Sequence, residues 1–217
     1  MSLEKRVPPD PLFRIGRRPD PWQSPDWSRV GPDGTFGNRF DDPQSYYRVL
    51  YASSQPLSCY IETLARFRPD LTLIDELRQI EGDDDFFPAG HVPREWATKR
   101  LIGTATITGD YAAVCESEWI AFLRRRLTAD CLRLGIEDLD ASVLQSSAPR
   151  ALTRLVSREA YELNFSGVYY LSRYGHDLEN WAVFEPFPIT ATHSKSITVS
   201  DPAFTEALRI LGLKFGK

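Results

Sequence analysis

The sequence has no apolar run near the roughly 18 residues that a membrane-spanning helix needs. Its first residues, MSLEKRVPPDP, also lack the apolar stretch of a leader peptide. No membrane segment is expected, and a cytoplasmic setting is the default. Cysteine is scarce: Cys59, Cys115 and Cys131 are odd in number and show neither C-x-x-C nor disulfide-framework spacing, so they read as reduced, small core residues. His91, His176 and His193 stand far apart and form no H-E-x-x-H or His/Cys cluster, so no metal is expected. Basic excess is missing too, because 26 Lys and Arg against 30 Asp and Glu leave a formal charge of −4. The densest basic run, Arg124-Arg125-Arg126, reads as one solvated helix face rather than a nucleic-acid footprint. G-x-S-x-G, Walker A and G-x-G-x-x-G are all absent, which removes the main support for serine-hydrolase, P-loop and Rossmann chemistry.

What is present suits an ordinary globular protein: 42% apolar and 26% charged residues, five tryptophans, and 217 residues in all, enough for a sizeable core in one domain spanning 1–217. Residues 1–33 are dense in proline and charge and are expected to lie over the domain as irregular coil with one short strand, residues 1–11 forming an N-terminal arm. YYRVLYASS (46–54) reads as a strand. The helix after it is expected to start at Ser54 as N-cap with Pro56 in the first turn and to stop at Arg68-Pro69, its apolar stripe being Leu57, Tyr60, Ile61, Leu64 and Ala65. Asp83-Asp84-Asp85, between Gly82 and Pro88, reads as a loop, and residues 100–111 alternate like a strand. Helices are expected over 112–135, ending at a glycine, and over 148–163. Strands are expected over 167–174 and 180–190 with 175–179 as their loop, and a last helix opens at Asp201-Pro202 within the C-terminal segment 191–217. Non-alternating helices and strands without internal repeats make this α+β, with a central mixed or antiparallel sheet flanked by helices.

Chemistry-bearing side chains are spread over strand ends and one helix: Arg14, Arg39, Tyr51, Glu62, Ser172 and Asn180. Each has a bland explanation by itself. GTFGNRFDDP (34–43) reads alone as a surface turn with a solvated Arg39, Glu62 as an exposed helix carboxylate, and Ser172 as a strand-end hydroxyl.

Their order and context, however, resemble the RES-domain family, named for its arginine, glutamate and serine. FRIG, GNRFDDP, VLYASSQPLSCYIETL and GVYYLSRYGHDLENWAVFE look like that family's successive blocks, over residues 12–190. The family includes toxins of toxin–antitoxin pairs that degrade NAD, with a fold similar to diphtheria-toxin-like ADP-ribosyltransferases. The resemblance makes Arg39, Glu62 and Ser172 the family triad and Arg14, Tyr51 and Asn180 further pocket residues. It implies NAD as substrate rather than cofactor, inorganic phosphate as acceptor of ADP-ribose, and a partner with an Xre-like DNA-binding domain that occludes the pocket. The alternatives are an ADP-ribosyltransferase acting on a macromolecule and a non-catalytic nucleotide- or partner-binding module. In this reading Arg14 and Arg39 clamp the pyrophosphate, and Glu62 bonds the ribose hydroxyls and stabilises oxocarbenium charge. Tyr51 stacks on nicotinamide, and Ser172 orients the amide or the ribose.

Overall fold

The structure is a computed structural model and describes residues 3–72, 74, 90–146 and 149–216. The expected Asp83–Asp85 loop lies outside the described residues. The expected α+β class is what the chain adopts, with a mixed central sheet. Eight strands run in the order β1-β6-β7-β8-β3-β2-β5-β9: β1 Lys5–Arg6, β2 Leu12–Arg17, β3 Val49–Ser53, β5 Arg100–Ile107, β6 Tyr111–Ala113, β7 Gly167–Ser172, β8 Gly175–Phe184 and β9 Ile189–Ser196. Every pairing is antiparallel except β6 with β7, whose crossover carries four helices: α3 Ser117–Arg126, α4 Thr128–Arg133, α5 Ala141–Gln145 and α6 Arg150–Glu162. A parallel pair, β4 Gly90–Val92 with β10 Leu213–Phe215, lies apart from the large sheet. Further helices among the described residues include α1 Pro56–Leu64, α2 Arg94–Thr98 and α7 Pro202–Ile210.

Alternation in β3 and β8 separates two faces. Leu50, Ala52, Trp181 and Val183 pack with Leu12, Trp22 and Tyr111 on one side. Val49, Ala182 and Phe184 join the α3–α6 layer on the other, around Trp119, Leu123, Leu152 and Val156. A second cluster on α1 and α7, with Tyr60, Ile61, Leu64 and Phe204, stands beside that layer.

Several expectations need correction. The N-terminal stretch carries two strands, because its prolines flank residues 12–17 and leave them free to pair; β2 sits inside the sheet between β3 and β5, and even the arm contributes β1. Gln55, not Ser54, is the α1 N-cap, since the Ser54 hydroxyl donates to Glu179 and accepts from the Trp181 indole. The 112–135 pattern divides: residues 111–113 are fully buried as β6, and the helix beginning at Ser117 breaks at Leu127 before α4. Residues 175–179 are the outer half of β8, paired with β7 across a turn at Arg173-Tyr174. α7 starts as its sequence indicates, the Asp201 carboxylate accepting from the Ala203 N–H with Pro202 next to it.

Candidate functional site

Register explains how distant residues meet. Directly opposed residues of antiparallel strands share a face, and Tyr170 on β7 opposes Asn180 on β8, which opposes Ser53 on β3. Tyr51, two positions along β3, lies on that same helix-covered face. α1 packs on this end of the sheet and brings Glu62 against the row. Between α1 and the α3–α6 layer a cleft of about 610 Å³ opens, lined by Arg14, Arg39, Tyr51, Glu62, Tyr170 and Asn180 among others.

Glu62 is itself solvent-exposed, yet one carboxylate oxygen is fixed. Its Oε1 accepts from Ser172 Oγ at 2.6 Å and from Asn180 Nδ2 at 3.1 Å. Asn180 is 1% exposed, and its Oδ1 in turn accepts from Ser53 Oγ at 2.6 Å and Ser58 Oγ at 2.9 Å. The Glu62 carboxylate can only accept, so it must face Nδ2 of the Asn180 amide, and the Ser53 and Ser58 hydroxyls, which can donate or accept, then donate to Oδ1. Ser172 accepts from the Tyr174 N–H at 3.1 Å, so its hydroxyl proton is committed to the carboxylate. Ser172 is 4% exposed and stands behind Glu62, its hydroxyl bonded to the carboxylate.

The GTFGNRFDDP stretch is a built loop. Gly34 and Gly37 have φ of 74° and 82°, a region where a side chain is strained. At Gly37 the positive φ is by itself a reason for glycine, since the nearest neighbour of a Cβ built there, Arg150 Nη1, is 3.9 Å away. Asp41 and Asp42 are 3% and 2% exposed and staple the loop: Asp41 accepts from the Asn38 N–H at 2.7 Å, Asp42 from the Tyr46 N–H at 2.6 Å. Tyr51 Oη accepts from the Phe40 N–H at 2.9 Å. From the other side, α6 presents Arg150, Thr153, Arg154 and Ser157 at i, i+3, i+4 and i+7. These donate to the carbonyls of Gly37, Arg39, Asn38 and Phe40 respectively. With its backbone held from both sides, Arg39 rests its guanidinium 5.4 Å from the Phe40 ring centre and 5.5 Å from that of Tyr170. Among the described residues no carboxylate pairs with it.

Arg14 gives Nε to the Pro21 carbonyl at 2.7 Å and Nη1 to the Tyr51 carbonyl at 2.8 Å, tying the N-terminal stretch to β3. Burial lowers its pKa to about 10, so it stays charged at neutral pH. Burial, with the nearby Asp41 second, pushes the Tyr51 phenol well above its usual value and keeps it neutral. The structure thus brings Arg14, Arg39, Tyr51, Glu62 and Asn180 to one cleft and puts Ser172 directly behind it.

Other residues escaped the sequence reading. Arg66, Arg68, Arg150 and Arg173 also line the cleft, so among the described lining residues six arginines face one acid, Glu62, in a chain of net charge −4. Ser58 lies one helical turn before Glu62, and the α6 polar stripe is a plain 3.6-residue pattern; both were available as signals. Tyr170 had none, since its position depends on strand register. Chemically, the site offers planar cationic forks for a phosphate-bearing ligand and one oriented carboxylate for a centre that gains positive charge.

The RES domain family matches residues 11–204, past the 12–190 stretch that carries the sequence blocks and into α7. No curated protein matches the chain. Among solved structures it is similar to a chain in the crystal structure of the M. tuberculosis MbcT-MbcA toxin-antitoxin complex, with 12% identity, 89% of this chain and 86% of that chain covered, and a TM-score of 0.48. Among the described residues no helix is long and apolar enough to cross a membrane, and no three His, Cys, Asp or Glu side chains gather as a metal-holding group.

Proposed function

Because the chain belongs to the RES-domain family, we propose that it cleaves the nicotinamide–ribose bond of NAD, passes ADP-ribose to inorganic phosphate, and acts as a toxin restrained by a protein partner that covers the cleft. The observation that carries this reading is a single carboxylate, oriented at one oxygen by Ser172 and Asn180, inside an arginine-lined cleft. NAD needs both halves of that arrangement. Arg39 and its cationic neighbours hold the pyrophosphate by charge-assisted hydrogen bonds. The free edge of Glu62 accepts from the ribose hydroxyls and stabilises the cation that grows as the C1″–N bond breaks. The bonding pair leaves with nicotinamide, whose ring becomes neutral, so the departing group needs no proton. A phosphate oxygen then bonds C1″, giving ADP-ribose-1″-phosphate. Tyr51 and Tyr170 offer aromatic walls for the nicotinamide.

Produced in a bacterial host, the wild-type chain is expected to deplete NAD and arrest growth, and Glu62→Gln at equal soluble yield to do neither. Undiminished NAD with abundant soluble wild type contradicts the reading.

The α6 clamp gives a second expected result. Thr153→Val removes the hydroxyl that bonds the Arg39 carbonyl, at a site 1% exposed, without changing side-chain size much. We expect about 1 kcal/mol of lost stability. A several-fold rise in KM for NAD with kcat little changed accompanies it, because the loop places a binding group. Thr153→Ser restores both. Equal loss of stability with unchanged KM reduces Thr153 to a structural role.

A further inference from the structure

Beside the cleft, on the far side of Arg66, is a groove of about 290 Å³ lined by Arg17, Arg66, Glu95, Trp96, Lys99 and Arg100 among others. Arg66 lines both spaces. In the β2–β5 ladder Arg17 is the direct partner of Arg100, so two like charges face each other across adjacent strands, an arrangement that ordinarily destabilises a sheet. Arg66, in the turn after α1, adds a third. Glu95 does not neutralise them, because it pairs with Lys99 four residues on. Among the described residues Arg17 and Arg66 have no carboxylate partner. Arg100 is held in place by a 3.0 Å bond from Nη1 to the Trp96 carbonyl and by its position 5.1 Å from the Trp96 ring centre. Burial, followed by the charges of Arg17 and Arg66, lowers the pKa of Arg100.

Among the described residues these three guanidinium groups, one of them half-buried and fixed, face one groove with no carboxylate bonded to them, an arrangement that an anion completes. We propose that the Arg17–Arg66–Arg100 groove binds a phosphate group, as a site separate from the Glu62 cleft and joined to it through Arg66. Planar forks from two strands and a turn suit a tetrahedral dianion better than a carboxylate, which one fork saturates. The phosphate can be free inorganic phosphate or a monoester carried on a dinucleotide that extends from the cleft. The inference does not depend on the proposed reaction, since binding is read without turnover.

The test titrates the full chain with inorganic phosphate by calorimetry at constant ionic strength, in an Arg39→Gln background that weakens the cleft's own anion contact. Phosphate binding is expected to persist there and to weaken about tenfold when Arg17→Gln is added. Arg17 is exposed, so this change leaves the fold intact, which thermal melting checks; Arg100→Gln is the second variant and is expected to weaken phosphate at least as much. Glu62→Gln, in which turnover is suppressed, is then titrated with NAD and with its 2′-phosphorylated form. Tighter binding of the latter, lost in Arg17→Gln, assigns the site to a dinucleotide monoester; equal binding of the two assigns it to the free ion. Phosphate affinity unchanged by both Arg17→Gln and Arg100→Gln overturns the proposal, as does the absence of phosphate binding in Arg39→Gln.

Discussion

Glu62→Gln is expected to lower kcat for NAD cleavage on the order of 10²–10³-fold, about 3–4 kcal/mol of transition-state stabilisation, while KM changes little. The replacement keeps the size of the side chain, and its amide oxygen can still accept from Ser172 and Asn180 at the fixed position. Its free edge becomes an NH2, to which a ribose hydroxyl can turn as acceptor, and what it loses outright is charge, which matters most when the ribose carbon is most positive. An interaction that strengthens on the way to the transition state appears in kcat and not in ground-state binding. Turnover equal to wild type would remove Glu62 from the mechanism. A rise in KM alone would make it a binding residue only.

The second large effect belongs to Asn180, the junction of the network. Asn180→Ala strips the acceptor from the Ser53 and Ser58 hydroxyls and one donor from Glu62 Oε1, all at a position 1% exposed. Unpaired buried polar groups cost about 1–3 kcal/mol each. Hydroxyls can turn toward other acceptors, so we expect a net loss of about 2–3 kcal/mol, read as a melting temperature lowered by about 5–10 °C. Because Glu62 then keeps Ser172 as its one neutral donor, kcat is expected to fall about tenfold or more at temperatures where the variant is fully folded. A lower melting temperature with full kcat would make the network a stability element and detach it from catalysis.

The local chemistry of several elements was legible because it is written in neighbouring residues. β3 follows from its aromatic and branched run. α1 follows from its apolar stripe and Pro56, and α7 from the Asp201 cap beside Pro202. What escaped depends on contacts between distant segments. β9, ITATHSKS, is an edge strand whose residues are almost all exposed, so no alternation of apolar side chains announces it. β8 begins with Gly175-His176-Asp177, polar residues that read as a loop until β7 supplies a pairing partner. β6 is buried through its neighbours β1 and β7, and its three residues continue smoothly into a helical pattern in sequence. The candidate site shows the same division. Arg39, Glu62 and Ser172 stand in recognisable blocks, whereas the hold of α6 on the Arg39 loop and the Tyr170–Asn180–Ser53 row exist only once register and packing are set.

The most direct test of the central claim is to incubate the purified chain with NAD, with and without inorganic phosphate, and to weigh the products by mass spectrometry. The account predicts nicotinamide release that rises with phosphate, together with ADP-ribose-1″-phosphate. Release that ignores phosphate while ADP-ribose appears on a protein moves the chain to the transferase reading, and intact NAD after incubation with folded wild-type protein contradicts the account altogether.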